Sequence, residues 1–282
     1  MNILGIDFEE WYHPELIQRQ IKTKNNKPSV INGIDEILDW LRKNEVYATF
    51  FVVGELLEIK PELMDKIISN GHEIAFHTMS HTRLDSPQYY EKFIQEIKKF
   101  AKLTDGKSKG FRAPTFSLNE ASAWTIDILE KNGYQYDSSI VPAKSTMYGF
   151  PDAELKPYKI SSSSLKQNSL NGKIWEFPIL VTKFLGKKIP AGGGFYLRIL
   201  PIKIIKNAII AYEKKSIPAT FYVHSWELTP KLMPKVPLPK KDKFVTYHNI
   251  EKTMSRLDEI IKQFEFTSFE RYLKQKNPVS QT

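Results

Sequence analysis

His72-Glu73-Ile74-Ala75-Phe76-His77-Thr78-Met79-Ser80-His81 reads as a short apolar strand that ends on two imidazoles four residues apart. In a first helical turn after a strand, positions i and i+4 share a face, so both rings could reach one ion. Neutral imidazole suits zinc and its divalent neighbours, and a third protein ligand leaves a position open for water. Candidates for that ligand are Asp7, Glu9 and Glu10, which close another apolar run, Ile3-Leu4-Gly5-Ile6. Taken singly, a spaced His pair is more often two solvated side chains, and an acidic cluster more often a helix cap with first-turn acids. Their company argues otherwise: Arg112-Ala113-Pro114, Asp137-Ser138-Ser139 and His224-Ser225-Trp226 each follow an apolar strand-like run.

Outward from these motifs, strand-like runs alternate with amphipathic helical segments. Ile3–Phe8 precedes a helix over Ile31–Asn44, whose Ile34, Ile37, Leu38 and Leu41 share one face. Tyr47–Val53 precedes a helix over Pro61–Asn70, opened by proline and stopped by Gly71. His72–Phe76 precedes a helix over Pro87–Leu103, and Gly110–Ala113 precedes one over Asn119–Asn132 that Gly133 stops. Tyr134–Asp137 and Trp175–Leu180 are short strands; a helix over Pro201–Lys215 leads to the strand Ala219–His224, and one over Asn249–Gln263 leads to Phe264–Ser268. Repeated strand-then-helix units predict a parallel α/β fold, and about seven of them predict a barrel. Catalytic groups in such barrels gather at the C-terminal strand ends, where every candidate above falls. Val141–Lys173 and Thr229–Tyr247 break the alternation and read as long loops over the barrel mouth. There is no internal repeat and no sign of a separate second domain.

The bulk composition bounds the function. A 282-residue chain that is 41% hydrophobic can bury a sizeable core. It contains no cysteine, which excludes disulfides and thiolate ligands. No run of eighteen apolar residues predicts a membrane span, and no basic stretch leads into an apolar one at the N-terminus, so a cytoplasmic protein is expected. The net charge of +9, from 41 basic and 32 acidic residues, is concentrated in Lys183–Lys188, Lys203–Lys215 and Lys231–Lys243. It fits a lysine-rich solvated surface, or attraction to an anionic partner such as a phosphate-linked sugar or an acidic membrane surface. Nucleic acid is the least favoured of these partners and is not expected, because no recognition helix or stacking motif accompanies the charge.

Together these residues resemble the polysaccharide deacetylases, the family built on the NodB homology domain (carbohydrate esterase family four). The resemblance runs from Ile3 to about Leu273. His77 to His81 is similar to the family's metal motif, with Gly71-His72-Glu73-Ile74-Ala75 leading into it. Arg112-Ala113-Pro114 and Tyr222-Val223-His224 resemble two further motifs. Asp7-Phe8-Glu9-Glu10-Trp11-Tyr12, Tyr136-Asp137-Ser138-Ser139, Trp175-Glu176-Phe177-Pro178, Gly192-Gly193-Gly194-Phe195-Tyr196 and His224-Ser225-Trp226-Glu227 resemble a subgroup linked to exopolysaccharide biosynthesis.

The resemblance implies a distorted (β/α)7-type barrel as a single catalytic domain over 1–275, with a flexible tail over 276–282. It implies hydrolysis of an N-acetyl group on a hexosamine, in a glycan or precursor that is free or lipid-linked. A divalent metal is implied as cofactor, zinc first, with cobalt, nickel or manganese as alternatives. Asp7 would be the base, Arg112 its orienting partner, and Glu9, His77 and His81 the metal ligands. An N–H near Thr115 or Phe116 would hold the oxyanion. His224 would be the general acid and Asp137 the carboxylate that raises its pKa, against the plainer reading of Asp137 as a turn cap. The family's first motif usually carries adjacent aspartates, whereas the acids here are Asp7, Glu9 and Glu10. Strand alternation puts Asp7 and Glu9 on one side, and Glu10 remains the alternative ligand. Other readings are a deformylase or amidohydrolase of the same fold, or a non-catalytic carbohydrate-binding relative. The last should lack a base or a ligand, and here every motif position holds a usable group.

Of the remaining histidines, His13 is expected at the mouth, and His72 and His248 in structural roles. Trp11, Tyr12, Tyr196 and Trp226 are read as sugar-stacking or rim-packing residues. Gly192-Gly193-Gly194 lacks the context of a nucleotide loop and is read as a close backbone approach.

Overall fold

The computed structural model of the protein describes residues 1–21, 26–145 and 147–276. The expected tail beyond Lys276 lies outside the described residues. Among these, the strands are β1 (Asn2–Phe8), β2 (Thr49–Val52), β3 (Glu73–Phe76), β4 (Gly110–Phe111), β5 (Tyr136–Asp137), β6 (Tyr158–Ile160), β7 (Ile174–Glu176), β8 (Val181–Phe184), β9 (Lys187–Pro190), β10 (Thr220–His224) and β11 (Phe266–Thr267). Seven of them run parallel in the order β10-β1-β2-β3-β4-β5-β7. Two isolated parallel bridges, Ile179 to Thr220 and Gly193 to Tyr222, bring the β7 side back to β10. The sheet therefore curls on itself, and the fold is the parallel α/β barrel that the strand-then-helix alternation predicts.

Both faces of the sheet are covered, so its strands read as continuous apolar runs. Every residue of β1 is buried. Along β2, Phe50 joins the large core under the outer helices, while Phe51 points to an inner cluster with Ile3, Tyr136 and Phe177. The helix Phe269–Lys276 adds Phe269 and Tyr272 to that inner cluster, with Phe269 stacked on Tyr136 at 4.9 Å. The interior is thus filled beneath the C-terminal strand ends, and the site rests on this plug.

The predicted helices form slightly shorter than read, over Ile34–Lys43, Glu62–Ser69, Tyr89–Leu103, Trp124–Lys131, Ile202–Glu213 and Thr253–Ile261. Gly71 (φ 80°) and Gly133 (φ 75°) supply the predicted stops in the left-handed region. At Gly193 (φ 129°) an added Cβ would stand 1.7 Å from the Tyr222 carbonyl oxygen, so the close backbone approach read from the glycines is present.

Two expectations need correction. Val141–Lys173 contains β6, which pairs antiparallel with β7. Thr229–Tyr247 contains a helix, Lys240–Tyr247. That helix ends on Arg198, whose guanidinium donates to the carbonyls of Val245, Thr246 and His248. A cap supplied from a distant segment leaves no trace in local periodicity. The hairpin β8–β9 is a further element not anticipated; its turn, Leu185-Gly186, has positive φ at both residues. No helix of the described residues is long and apolar enough to cross a membrane.

Candidate active site

β1 and β3 deliver Glu9, His77 and His81 to one spot. All three are buried, and one ligand atom from each lies within 4.8 Å of the others. The histidines reach it differently from the helical turn expected. Thr78 (φ 59°) and His81 (φ 53°) are left-handed, and the segment is an irregular turn. Its backbone bonds outward: the carbonyls of Thr78 and Met79 accept from Gly54 and Glu55, and the Met79 N–H donates to Glu96. With those groups spent on neighbours, no intrahelical ladder forms.

The donor set fits a divalent ion. His77 Nδ1 is 2.7 Å from the Arg112 carbonyl oxygen, which fixes the tautomer and leaves Nε2 free. Burial pushes the His77 pKa down to about 4, so the ring is the neutral, ligating form. Glu9 Oε1 accepts from Trp226 Nε1 at 2.8 Å, while Oε2 is buried without a hydrogen-bond donor, 2.7 Å from His81 Nε2. Burial alone would raise the Glu9 pKa, but His81 beside it, with His224 and His77 further off, holds the carboxyl far below the usual range.

Glu10 faces away. Its carboxylate accepts from the backbone N–H groups of Ser29 (3.0 Å), Val30 (3.1 Å) and Ile31 (2.7 Å), capping the turn Val30–Gly33. Glu9→Gln should therefore weaken metal binding by at least about tenfold. Glu10→Gln should keep the metal and lose about 1–3 kcal/mol of stability. Metal titration and denaturant midpoints of the two variants check this, and the reverse pattern would exchange their roles.

Asp7 is buried beside this group, with Oδ1 accepting from Arg112 Nη1 at 2.6 Å. Arg112 is wholly buried and its fork is satisfied: Nε donates to the Ser138 carbonyl at 3.0 Å and Nη2 to Ser138 Oγ at 2.9 Å. The guanidinium lies 4.0 Å above the Phe51 ring. Gly5 admits it, since a Cβ there would meet Nη1 at 2.8 Å.

His224 stands across from Asp7 in the β1–β10 register. Its partner is not Asp137, as the sequence reading proposed, but Glu227. Glu227 Oε2 lies 2.7 Å from His224 Nδ1 and 3.0 Å from its backbone N–H, and Oε1 lies 2.8 Å from Arg198 Nε. Burial disfavours the imidazolium, yet Glu227 outweighs it, and the His224 pKa is raised to about 9. Asp137 sits at the end of β5, where it accepts from Ser139 Oγ and lies opposite Glu176 on β7. Burial raises the pKa of both carboxyls, and the neighbouring Asp137 charge raises that of Glu176 further. Ser139 Oγ in turn accepts from the Ala113 N–H, so Asp137 braces the segment carrying Arg112.

Glu176 and Glu227 lie in quoted motifs, but neither they nor Arg198 were given a role from sequence. Only Glu227 had a local signal, an acid three residues after His224 at the start of a helix. His13 is buried behind the site rather than at the mouth, stacked on His81 and 2.9 Å from Glu55. His72 and His248 lie away from the site: His72 Nδ1 accepts from the Ala48 N–H, and the exposed His248 stacks on Phe244. Trp226 is largely buried, stacked on His224 and bonded to Glu9, where it packs the site and lines the floor of the cleft. Above these groups opens a cleft of about 430 Å³ walled by Phe116, Tyr148, Phe195, Tyr196 and Tyr222.

A spent arginine–aspartate pair, a two-histidine, one-carboxylate donor set and a histidine at an adjoining strand end now stand together on this barrel. The profile of the family described as Polysaccharide deacetylase matches residues 29–136, and that of a Domain of unknown function (DUF3473) matches residues 138–274. Residues 29–136 therefore match a polysaccharide deacetylase domain. A peptidoglycan deacetylase-like protein of Gibberella zeae is 32% identical over 124 residues, covering 42% of this chain and 36% of that protein. A chitooligosaccharide deacetylase of Rhizobium leguminosarum bv. phaseoli is 36% identical over 100 residues, covering 34% of this chain and 41% of its own. The chain thus aligns with less than half the length of these relatives. A candidate polysaccharide deacetylase from Mycobacterium smegmatis superimposes with a TM-score of 0.61 at 16% identity, covering 97% of this chain and 90% of that one, and shares the fold. The barrel spans both matched regions: β2 to β5 fall essentially within the first, while β7, β10, His224 and Glu227 come from the second.

Proposed function

We propose that the chain is a metal-dependent hydrolase that removes N-acetyl groups from a hexosamine-containing glycan or glycan precursor, with one catalytic domain over 1–275. One observation carries the reading: Asp7, held by Arg112, adjoins the Glu9–His77–His81 donor set at the floor of an aromatic-walled cleft. Those three residues would hold a divalent ion, zinc first, which when bound lowers the pKa of a ligated water to ~7 and polarises the acyl oxygen.

The chain's own residues do the rest. Asp7 takes the proton of the attacking water, its orientation set by Arg112. The Phe116 N–H is spent on the Ala113 carbonyl, whereas the Thr115 N–H has no acceptor among the described residues. Thr115 (φ 54°) lines the cleft, so its N–H is the donor for the developing oxyanion. As the C–N bond breaks, His224 gives its Nε2 proton to the leaving amine, while Glu227 keeps the ring charged from the Nδ1 side. The aromatic walls suit the apolar faces of a sugar. The motifs shared with the exopolysaccharide-linked subgroup favour a precursor of an exported glycan, free or lipid-linked.

Acetate release from N-acetylglucosamine oligomers and from nucleotide- and lipid-linked hexosamines, with and without chelator, tests the proposal. Chelator-sensitive acetate is expected; metal-loaded protein that releases none from any of them overturns it, and release of formate from formylated analogues would redirect it to another amide.

The His224–Glu227 pair makes a separate prediction. A general acid raised to about 9 stays protonated up to that pH, so activity should fall on an alkaline limb near it. Glu227→Gln removes the raising charge, and the limb should move down toward the ordinary imidazole range of about 6.5. A pH–rate profile whose alkaline limb does not move would remove Glu227 from this role.

A further inference from the structure

The hairpin β8–β9 carries an apolar tip that the fold does not use. Leu185 is 87% exposed and Phe184 39% exposed, while the hairpin base, Val181 and Pro190, is buried. The turn Leu185-Gly186 has φ values of 48° and 77°, a geometry that favours Asn-Gly. A large apolar residue there accepts backbone strain and gains no packing in return. Around the tip stand Lys183, Lys187 and Lys188, all exposed and none in a salt bridge among the described residues. Lys188 Nζ donates to the Pro151 carbonyl, next in sequence to the exposed Asp152. No acidic residue occurs between Val181 and Pro190.

We propose that this hairpin tip docks the protein on an anionic lipid bilayer, Phe184 and Leu185 entering the interface and the three lysines meeting the headgroups. Apolar side chains at the point of a rigid loop, ringed by cations, match the two attractions a bilayer offers: burial of hydrocarbon and counter-charge at its surface. A free anion would use the lysines and leave the tip unexplained. The position is also informative. Val181 packs with Phe116, Tyr148 and Tyr222, and the chain after β9 runs directly into Phe195 and Tyr196, all five in the wall of the cleft. Docking here would hold the cleft close to the bilayer surface. The inference stands independently of the reaction proposed above.

Flotation of the full chain with vesicles of phosphatidylcholine alone, or with one third phosphatidylglycerol, tests it. The protein should float with the anionic vesicles only, and less as salt rises. Each lysine contributes on the order of fivefold in partitioning. K183Q/K187Q/K188Q and, separately, L185S and F184S/L185S should therefore lower it about tenfold or more, with thermal midpoints kept by the lysine variant and L185S. Absence of wild-type flotation at low salt would overturn the proposal, as would equal flotation of wild type and the lysine variant. A shift from dimer to monomer in sedimentation of L185S, without a change in flotation, would assign the tip to a second copy of the chain instead.

Discussion

His77→Ala is expected to bind zinc or cobalt at least about 100-fold more weakly than the wild-type protein and to lose hydrolytic activity in proportion. The effect should exceed the 10–100-fold typical of losing a residue that merely supports a ligand, because a donor itself is removed. His77 is held more firmly than a surface ligand would be: Nδ1 is fixed on the Arg112 carbonyl, burial keeps the ring neutral, and its strand is central in the sheet. The neighbouring donors cannot substitute. Glu10 is spent on three backbone N–H groups, and His13 is spent on Glu55 and the Glu10 N–H. Equilibrium dialysis or calorimetric titration reads the effect directly, and unchanged affinity would remove the histidine pair as the metal centre.

Asp7→Asn should leave metal affinity largely in place while lowering turnover by about 10²–10⁴, the usual worth of a positioned base. This substitution has a second consequence. Arg112 is completely buried, and Asp7 is its one salt-bridged carboxylate among the described residues. An amide in that place leaves a buried guanidinium without a counter-charge, which typically costs about 3–5 kcal/mol of stability. The variant should therefore unfold at lower denaturant, and its turnover must be measured well below its own thermal midpoint. A folded, metal-loaded Asp7→Asn protein that turns over within a few-fold of wild type would falsify the assignment of Asp7 as base. Loss of metal together with activity would place Asp7 among the ligands.

The pH behaviour of the same site separates its two ends. His224 carries a raised pKa, so the pairing with Glu227 stabilises the fold fully below the unfolded imidazole value of about 6.5. That contribution is lost as pH rises through about 9. Glu9 and Glu227 have depressed values, so their contributions are present above the ordinary carboxylate range and are lost only as pH falls well below it.

The barrel was legible because its strands and helices advertise themselves locally. A parallel strand covered on both faces is an unbroken apolar run, as in Ile3–Phe8, and helices such as Ile34–Lys43 show their buried stripe at helical spacing. The candidate residues were legible because each follows such a strand, and parallel strands in one barrel bring their C-terminal ends together. The choice between Glu9 and Glu10 was half legible: alternation along β1 put Glu9 with Asp7, but only the cap that Glu10 makes on Ser29, Val30 and Ile31 shows where the other acid goes.

Sequence by itself determined the parallel α/β barrel and the set of acids, histidines and arginine at the strand ends, since all of these rest on patterns within a few residues. Tertiary structure alone decided which partners those groups take. The His77–His81 segment became a left-handed turn because Gly54, Glu55 and Glu96 bind its backbone. His224 paired with Glu227 under the hand of Arg198, and Asp137 with Glu176 across the sheet. Apart from the three-residue spacing of His224 and Glu227, these are hydrogen bonds and charge pairs between segments tens or hundreds of residues apart, set by the closed barrel and encoded by no local periodicity.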